Sequence, residues 1–279
     1  MTTLDTGTDH LLATLDDGVL TLTLNRPEAR NAMSGEMNGA LASQLAAAEL
    51  NSDVRCIVLT GAGKGFCAGG DVKGMAARNS AEDGGKPVAQ TTLDERIHAQ
   101  RVAQRATSGK LYSMPKPTIA ALPGAAAGAG LGLALACDLR VMASTAIITT
   151  AFAKVGFSGD YGGTFFLTHL VGTAKARELY FLSDRVSAQE AHDLGIVNWV
   201  VEPDELVAKT NEIARRLADG PTIAYRYMKE NLNRAASSGD VDDCLDLEAT
   251  HHVHTGFTDD HREAAKAFVE KRTPVFKGR

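Results

Sequence analysis

The stretch TIAALPGAAAGAGLGLALA, residues 118–136, decides the fold. It carries no charge and is nearly long enough to span a bilayer. Pro123, Gly124, Gly128, Gly130 and Gly132 interrupt it, and alanine fills it where leucine would be needed. Transfer into lipid would gain little per residue, and no second apolar span accompanies it. The residues instead predict a buried strand over 119–122, a glycine-rich turn, and a buried helix over 131–136. A strand that turns sharply into a buried helix needs neighbouring strands beside it and helices above it.

Those neighbours are legible on both sides. VLTLTLN (19–25) alternates leucine with threonine, the period-two signature of a half-buried strand. Residues 34–50 place Met37, Leu41, Leu45 and Ala48 on one helical face. RCIVLT (55–60) is a short apolar strand ending at the glycine cluster GAGKG, and strands follow at 139–142 and 146–150. Such strand–helix alternation implies an α/β fold with parallel crossovers. Further on, a helix is expected over 175–182. Ser187 and Glu190 form a capping box for another helix, which Gly195 closes. A late strand covers 196–201, Asp204 caps a helix running to Ala218, and residues 222–279 read as helices with a charged surface. Residues 77–93 are polar and read as a loop leading into a helix. No long linker is visible.

The chain has 279 residues, 44% hydrophobic and 23% charged, which excludes a disordered or collagen-like polymer. A net charge of -5 gives no electrostatic footprint for nucleic acid. Cys56, Cys67, Cys137 and Cys244 form no C-x-x-C pair, so they read as reduced thiols of a cytoplasmic protein, and the start MTTLDTGTDH has no secretory pattern. Neither Gly61–Gly65 nor Gly128–Gly132 completes a nucleotide-binding fingerprint. Glycine-rich turns of this kind have another use, because their backbone N–H groups can point at an oxyanion.

Six pieces occur in order: LNRPEARNAMS (24–34), GKGFCAGGDVKGM (63–75), MPKPTIAALPGAAAGAGLGLALACDLR (114–140), VGFSGDYGGTFFLTHLVG (155–172), SAQEAHDLGIVNWVV (187–201) and HREAAKAFVEKRTPVFKG (261–278). Together they resemble the crotonase, or enoyl-CoA hydratase/isomerase, superfamily over essentially the whole length. The resemblance implies an α/β fold of repeated ββα units over 1–201 and a helical region over 202–279 that builds a homotrimer or a dimer of trimers. It implies acyl-CoA thioester substrates, no cofactor beyond the CoA they carry, no metal, and neither a membrane nor a nucleic-acid partner. It also implies a thioester enolate held by two backbone N–H groups, which fall at Ala68 and Ala129.

Hydratases of this family use two glutamates. Their positions here hold Gly132 and Phe152, so hydration by the usual route lacks both its base and its acid. One carboxylate remains, Asp160 in GFSGDYGGT. Single-aspartate branches of the family include isomerases and a dehalogenase, and the motifs most resemble the isomerases. An aspartate in an apolar pocket has a raised pKa and can both remove and return a proton. Gly-Asp-Tyr-Gly is equally good turn chemistry. Three readings stay open: a double-bond isomerase, an enzyme using Asp160 as nucleophile or hydrating weakly, and a non-catalytic acyl-CoA-binding protein.

By the same resemblance Ala29, Arg30, Ala32, Ala68, Gly70, Asp71 and Val72 line the CoA, with Phe268 and Lys271 reaching its adenine or phosphate end. Phe268 is otherwise a core residue. Residues around 75–112 are expected to line the acyl pocket, and Glu82 and Asp83 fall in that stretch. His251, His252 and His254 suggest a solvated or interface role, His169 and His192 structural ones, and Trp199 packing. Tyr161 is expected to face or cover the pocket.

Overall fold

The computed structural model describes residues 1–71 and 92–279. Strands β1 (Thr2–Leu4), β2 (Leu11–Asp16) and β3 (Val19–Leu24) form an antiparallel meander, and helix α1 (Gly35–Leu50) follows. Then come β4 (Cys56–Gly61), β5 (Gly65–Cys67), α2 (Leu93–Ala106) and α3 (Ser108–Ser113). The 118–136 stretch becomes β6 (Thr118–Leu122), β7 (Ala125–Ala127) and α4 (Ala129–Ala136). After β8 (Leu139–Ala143) and β9 (Ile147–Thr149) the chain forms α5 (Gly163–Leu182), β10 (Val186–Ser187), α6 (Ala188–Asp193), β11 (Trp199–Val201) and α7 (Leu206–Ala218). It ends in α8 (Thr222–Ser238), α9 (Val241–Gly256) and α10 (Asp259–Glu270).

Two sheets result. The larger has the order β1-β2-β3-β4-β6-β8-β11, parallel from β3 onward. The smaller has the order β10-β9-β7-β5. Each of the pairs β4/β5, β6/β7 and β8/β9 gives one strand to each sheet. This is the expected ββα repeat, with the helix explicit after β7 and after β9.

Burial explains the elements. On β3, Leu20, Leu22 and Leu24 are buried and the threonines between them are half-buried. Strands β4 and β6 are almost wholly buried and, apart from Thr60 and Thr118, carry no polar side chain, because both sheet faces are covered. Helix α1 starts where Ser34 Oγ accepts the Met37 N–H, and it buries Met37, Leu41 and Leu45. Helix α7, beyond residue 201, also covers the sheet and buries Leu206, Ile213 and Ala214.

Three element expectations change. The helix expected over 175–182 begins at Gly163 and passes through a non-helical Gly172 (φ 75°, ψ 164°), a residue that reads as a breaker in sequence. Asp204 does not cap α7: Glu205 sits at the N-cap without a side-chain bond, and a backbone turn, Glu205 N–H to the Glu202 carbonyl (2.9 Å), starts the helix. The late strand shrinks to Trp199–Val201 because the Ile196 and Val197 N–H groups both close α6 on the Ala191 carbonyl (2.8 and 3.2 Å).

Candidate active site

The parallel pairing of β5 with β7 brings two chain turns side by side. One is Cys67-Ala68-Gly69-Gly70-Asp71. The other is the entry into α4. They touch closely: a Cβ on Gly69 would stand 2.8 Å from the Ala127 carbonyl oxygen and 3.4 Å from the Ala129 nitrogen. Gly130 lets α4 lie directly on Cys67, since its Cβ would stand 2.6 Å from that of Cys67.

The N–H groups of these turns can be accounted for one by one. Ala68, expected as an oxyanion donor, donates instead to the Arg30 carbonyl at 3.0 Å. The Gly69 N–H is turned to the Cys67 sulfur. The Gly70 N–H has no acceptor among the described residues. Ala129 opens α4, where a helix leaves its N–H without an intrahelical partner. Among Ala68, Gly69 and Gly70 this leaves Gly70 as the candidate donor beside Ala129, and the Ala68 assignment is corrected because its N–H is already engaged.

Asn31 holds the surrounding loops. It is fully buried in the left-handed region (φ 56°), which asparagine tolerates. Its Oδ1 accepts the Arg26 N–H (2.9 Å), and its Nδ2 donates to the carbonyls of Ala62 (3.0 Å) and Gly65 (2.8 Å). Arg26 reaches across to Asp71 Oδ2 at 3.3 Å. Met33 bridges the strand end at Gly70, its N–H on the Gly69 carbonyl at 2.8 Å. Ala29, Arg30, Ala32, Ala68, Gly70 and Asp71 are thus brought together, with Arg30 exposed. Val72, Glu82 and Asp83 lie outside the described residues.

Asp160 stands on the next turn of α4. The segment 159–162 alternates in hand, with positive φ at Gly159 (112°), Tyr161 (50°) and Gly162 (74°). It rests on Gly132, whose Cβ would stand 2.9 Å from Tyr161 Cβ, 3.1 Å from the Tyr161 carbonyl oxygen and 3.5 Å from that of Asp160. The backbone carrying Asp160 therefore occupies the space a side chain at 132 would need. Phe152 is buried and stacks on Tyr180 (centroids 5.8 Å apart, 12° between planes), 3.7 Å from a Cβ built on Gly128.

Asp160 Oδ1 is buried with no hydrogen-bond partner among the described residues. Burial alone pushes its carboxyl up from 3.8 to about 6. Burial, then the Asp160 charge, pushes the Tyr161 phenol up to about 12 and that of Tyr180 higher as well. Tyr161 is core, with its hydroxyl accepting from Asn38 Nδ2 at 3.3 Å.

Other expected residues lie elsewhere. Phe268 is 86% exposed on α10, so it is not core, and the Lys271 N–H caps that helix on the Ala267 and Phe268 carbonyls. No hydrogen bond or ion pair joins either to the site loops among the described residues. His251 is buried between α8 and α9, against Asn231 (2.6 Å) and stacked on Tyr227, while His252 and His254 are exposed. His169 contacts the Phe165 and Ala236 carbonyls, and Trp199 packs on the core. Among the described residues no metal-ligand cluster forms, and no helix is long and apolar enough to cross a membrane.

Sequence reading missed Asn31, Arg26, Gln104 and Tyr180 as site-building residues. Asn31 and Arg26 lie in a quoted motif and Gln104 in the expected pocket stretch, but only contacts distinguish them from their neighbours.

A ββα spiral whose glycine-rich strand ends meet a helix start beside the half-buried Asp160 defines an enoyl-CoA hydratase/isomerase class of fold. The chain belongs to the enoyl-CoA hydratase/isomerase family, whose model matches residues 14–279. It is 39% identical over 272 residues to 1,2-epoxyphenylacetyl-CoA isomerase of Escherichia coli, covering 97% of this chain and 99% of the relative. It is 34% identical to the short-chain-enoyl-CoA hydratase of Clostridium acetobutylicum, covering 91% and 92%. Among solved structures it superimposes on an enoyl-CoA hydratase from Polaromonas sp. JS666 with a TM-score of 0.86 at 34% identity, covering 95% and 99%. The enoyl-CoA hydratase from Bacillus anthracis gives 0.87 at 32% identity, covering 97% and 100%.

Proposed function

We propose that this chain is an acyl-CoA isomerase that moves a double bond with a single carboxylate. The carrying observation is Asp160, with its buried unpartnered Oδ1, resting on the helix whose start offers the Ala129 N–H. The Asp160 carboxylate removes a proton from carbon conjugated to the thioester. The electron pair passes into the carbonyl, and the enolate oxygen is held by the N–H groups of Gly70 and Ala129. The neutral carboxyl then returns the proton to a different carbon, so the reaction is redox-neutral and consumes no water. A pKa near 6 suits both directions of transfer. Gly132 and Phe152 leave no second carboxylate to activate water there.

The relative named 1,2-epoxyphenylacetyl-CoA isomerase supports an aryl or cyclic acyl group. The exposure of Arg30 next to the Gly70 loop supports a role in pairing with a CoA phosphate. The exposed Met228, Leu232, Leu245, Val253 and Phe257 on the last helices support assembly into a trimer.

The test is solvent deuterium incorporation, read by mass spectrometry, into a panel of acyl-CoA thioesters that includes phenylacetyl-CoA. Exchange or a double-bond shift is expected with the wild type, falling below an apparent pKa of about 6, and lost in Asp160→Ala. Exchange unchanged in the variant overturns the assignment of Asp160. A covalent acyl or aryl adduct on Asp160 would make it a nucleophile. Binding without exchange would mean a binding protein.

A further inference from the structure

Resting on that reading of Asp160, we propose that Gln104 is a positioning residue for the catalytic base, clamping from α2 the peptide plane that aims the Asp160 carboxylate.

The plane between Asp160 and Tyr161 is held on all accessible sides. Its N–H, that of Tyr161, donates to Gln104 Oε1 at 2.5 Å. Its carbonyl, that of Asp160, accepts the Gly163 N–H at 3.1 Å. Its face lies against Gly132 of α4. Fixing this plane fixes ψ of Asp160, and with it the direction in which Cβ and the carboxylate leave the backbone. The clamp matters because the turn carries backbone strain. Tyr161 is a non-glycine residue in the left-handed region, which costs about 1 kcal/mol or more. Without an acceptor, its N–H would add an unsatisfied donor in a half-buried site.

The contact joins two otherwise distant parts of the chain. Gln104 lies in the last turn of α2, on a helix with no fully buried residue, whose N-terminus is closed by the Thr92–Glu95 capping box. Among the described residues the Gln104 amide makes the one side-chain hydrogen bond from α2 to the Asp160 turn. Gln104 thus makes the base respond to the seating of a surface helix. Among the described residues Tyr161 and Tyr180 are the titratable groups that feel the Asp160 charge, and both are neutral at physiological pH. A carboxylate introduced at 104 would add a charge beside the Asp160 turn.

The test uses the full chain with Gln104→Leu, which removes the acceptor, and Gln104→Glu, which keeps an acceptor and adds a charge. Phenylacetyl-CoA is the exchange probe, and the Asp160 carboxyl carbon is followed by NMR in aspartate-labelled protein, assigned with Asp160→Asn. Gln104→Leu is expected to lower kcat for exchange about tenfold or more with KM nearly unchanged, the signature of misplaced catalytic geometry. Gln104→Glu is expected to restore kcat above its own transition, with the Asp160 titration moved to higher pH by the added carboxylate. A loss confined to KM, unchanged kcat and Asp160 titration in Gln104→Leu, or a Gln104→Glu as inactive as Gln104→Leu, would overturn the proposal. Should Gln104→Leu fail to fold by circular dichroism, the Gln104→Glu titration decides alone. The carboxyl titration needs no substrate, so a wild type that exchanges nothing would sink the isomerase reading while leaving the clamp tested.

Discussion

Gly132 shows how an absent side chain makes room for the backbone of another segment. A glutamate there would set Cβ 2.9 Å from Tyr161 Cβ and 3.1 Å from a backbone oxygen, with no flexible end to yield. Gly132→Glu is therefore expected to lose about 1–3 kcal/mol by overpacking, read by urea unfolding, and to gain no hydration of a short-chain enoyl-CoA. The neighbouring carboxylate predicts a second effect. Asp160 has an ordinary value of 3.8 and a folded value of about 6, so the native state holds the proton more tightly than the unfolded chain. Stability is therefore given up as pH rises between these values. Asp160→Asn removes the ionisation: its melting temperature is expected to exceed that of the wild type at pH 7.5, with the gain disappearing near pH 3.5. A gain that persists in acid would contradict burial as the cause.

At the scale of elements, the site is a junction of strand ends and one helix start, and Asn31 is its tie. Two of its three side-chain hydrogen bonds join the segment before α1 to both ends of the β4–β5 turn, and the third, from the Arg26 N–H, closes that segment on itself. Asn31→Ala leaves three backbone groups without this partner and keeps an alanine at positive φ. A loss of about 3 kcal/mol or more is expected by chemical denaturation. Acyl-CoA affinity should fall as well, because Gly70 and Arg30 depend on these loops. A variant with unchanged stability would show that water replaces the amide without cost.

Across the whole molecule, the sheet region and the last helices are joined by a buried polar link. Lys229 Nζ of α8 donates to Asp138 Oδ2 (2.9 Å) and to the carbonyls of Leu111 (2.9 Å) and Lys116 (3.2 Å). Asp138 also accepts from the Thr118 N–H (2.8 Å), at the root of β6. Beyond this anchor the last helices and the turn after α9 expose Leu232, Leu245, Phe257 and Phe268, side chains that an interface between copies would cover. The expected particle is a trimer of 29.4 kDa chains, or twice that. Light scattering after size exclusion checks it, and a monomer at micromolar concentration would contradict it.

Local physics in the sequence determined the elements and the class. The alternation of residues 19–25, the uncharged glycine-broken run at 118–136 and the ordered motifs specify an α/β spiral with an oxyanion-type turn, because periodicity and backbone permissiveness act over a few residues. The family resemblance those motifs carry, and not local physics, singled out Asp160 and the missing glutamates. Tertiary structure alone decided which N–H groups are free: Ala68 is taken by Arg30, 38 residues earlier, and this leaves Gly70. It alone brought Gln104 to Tyr161 and showed that Gly132 is filled by another segment's backbone. Hydrogen-bond competition and steric exclusion depend on residues far apart in the chain, and no local pattern records them.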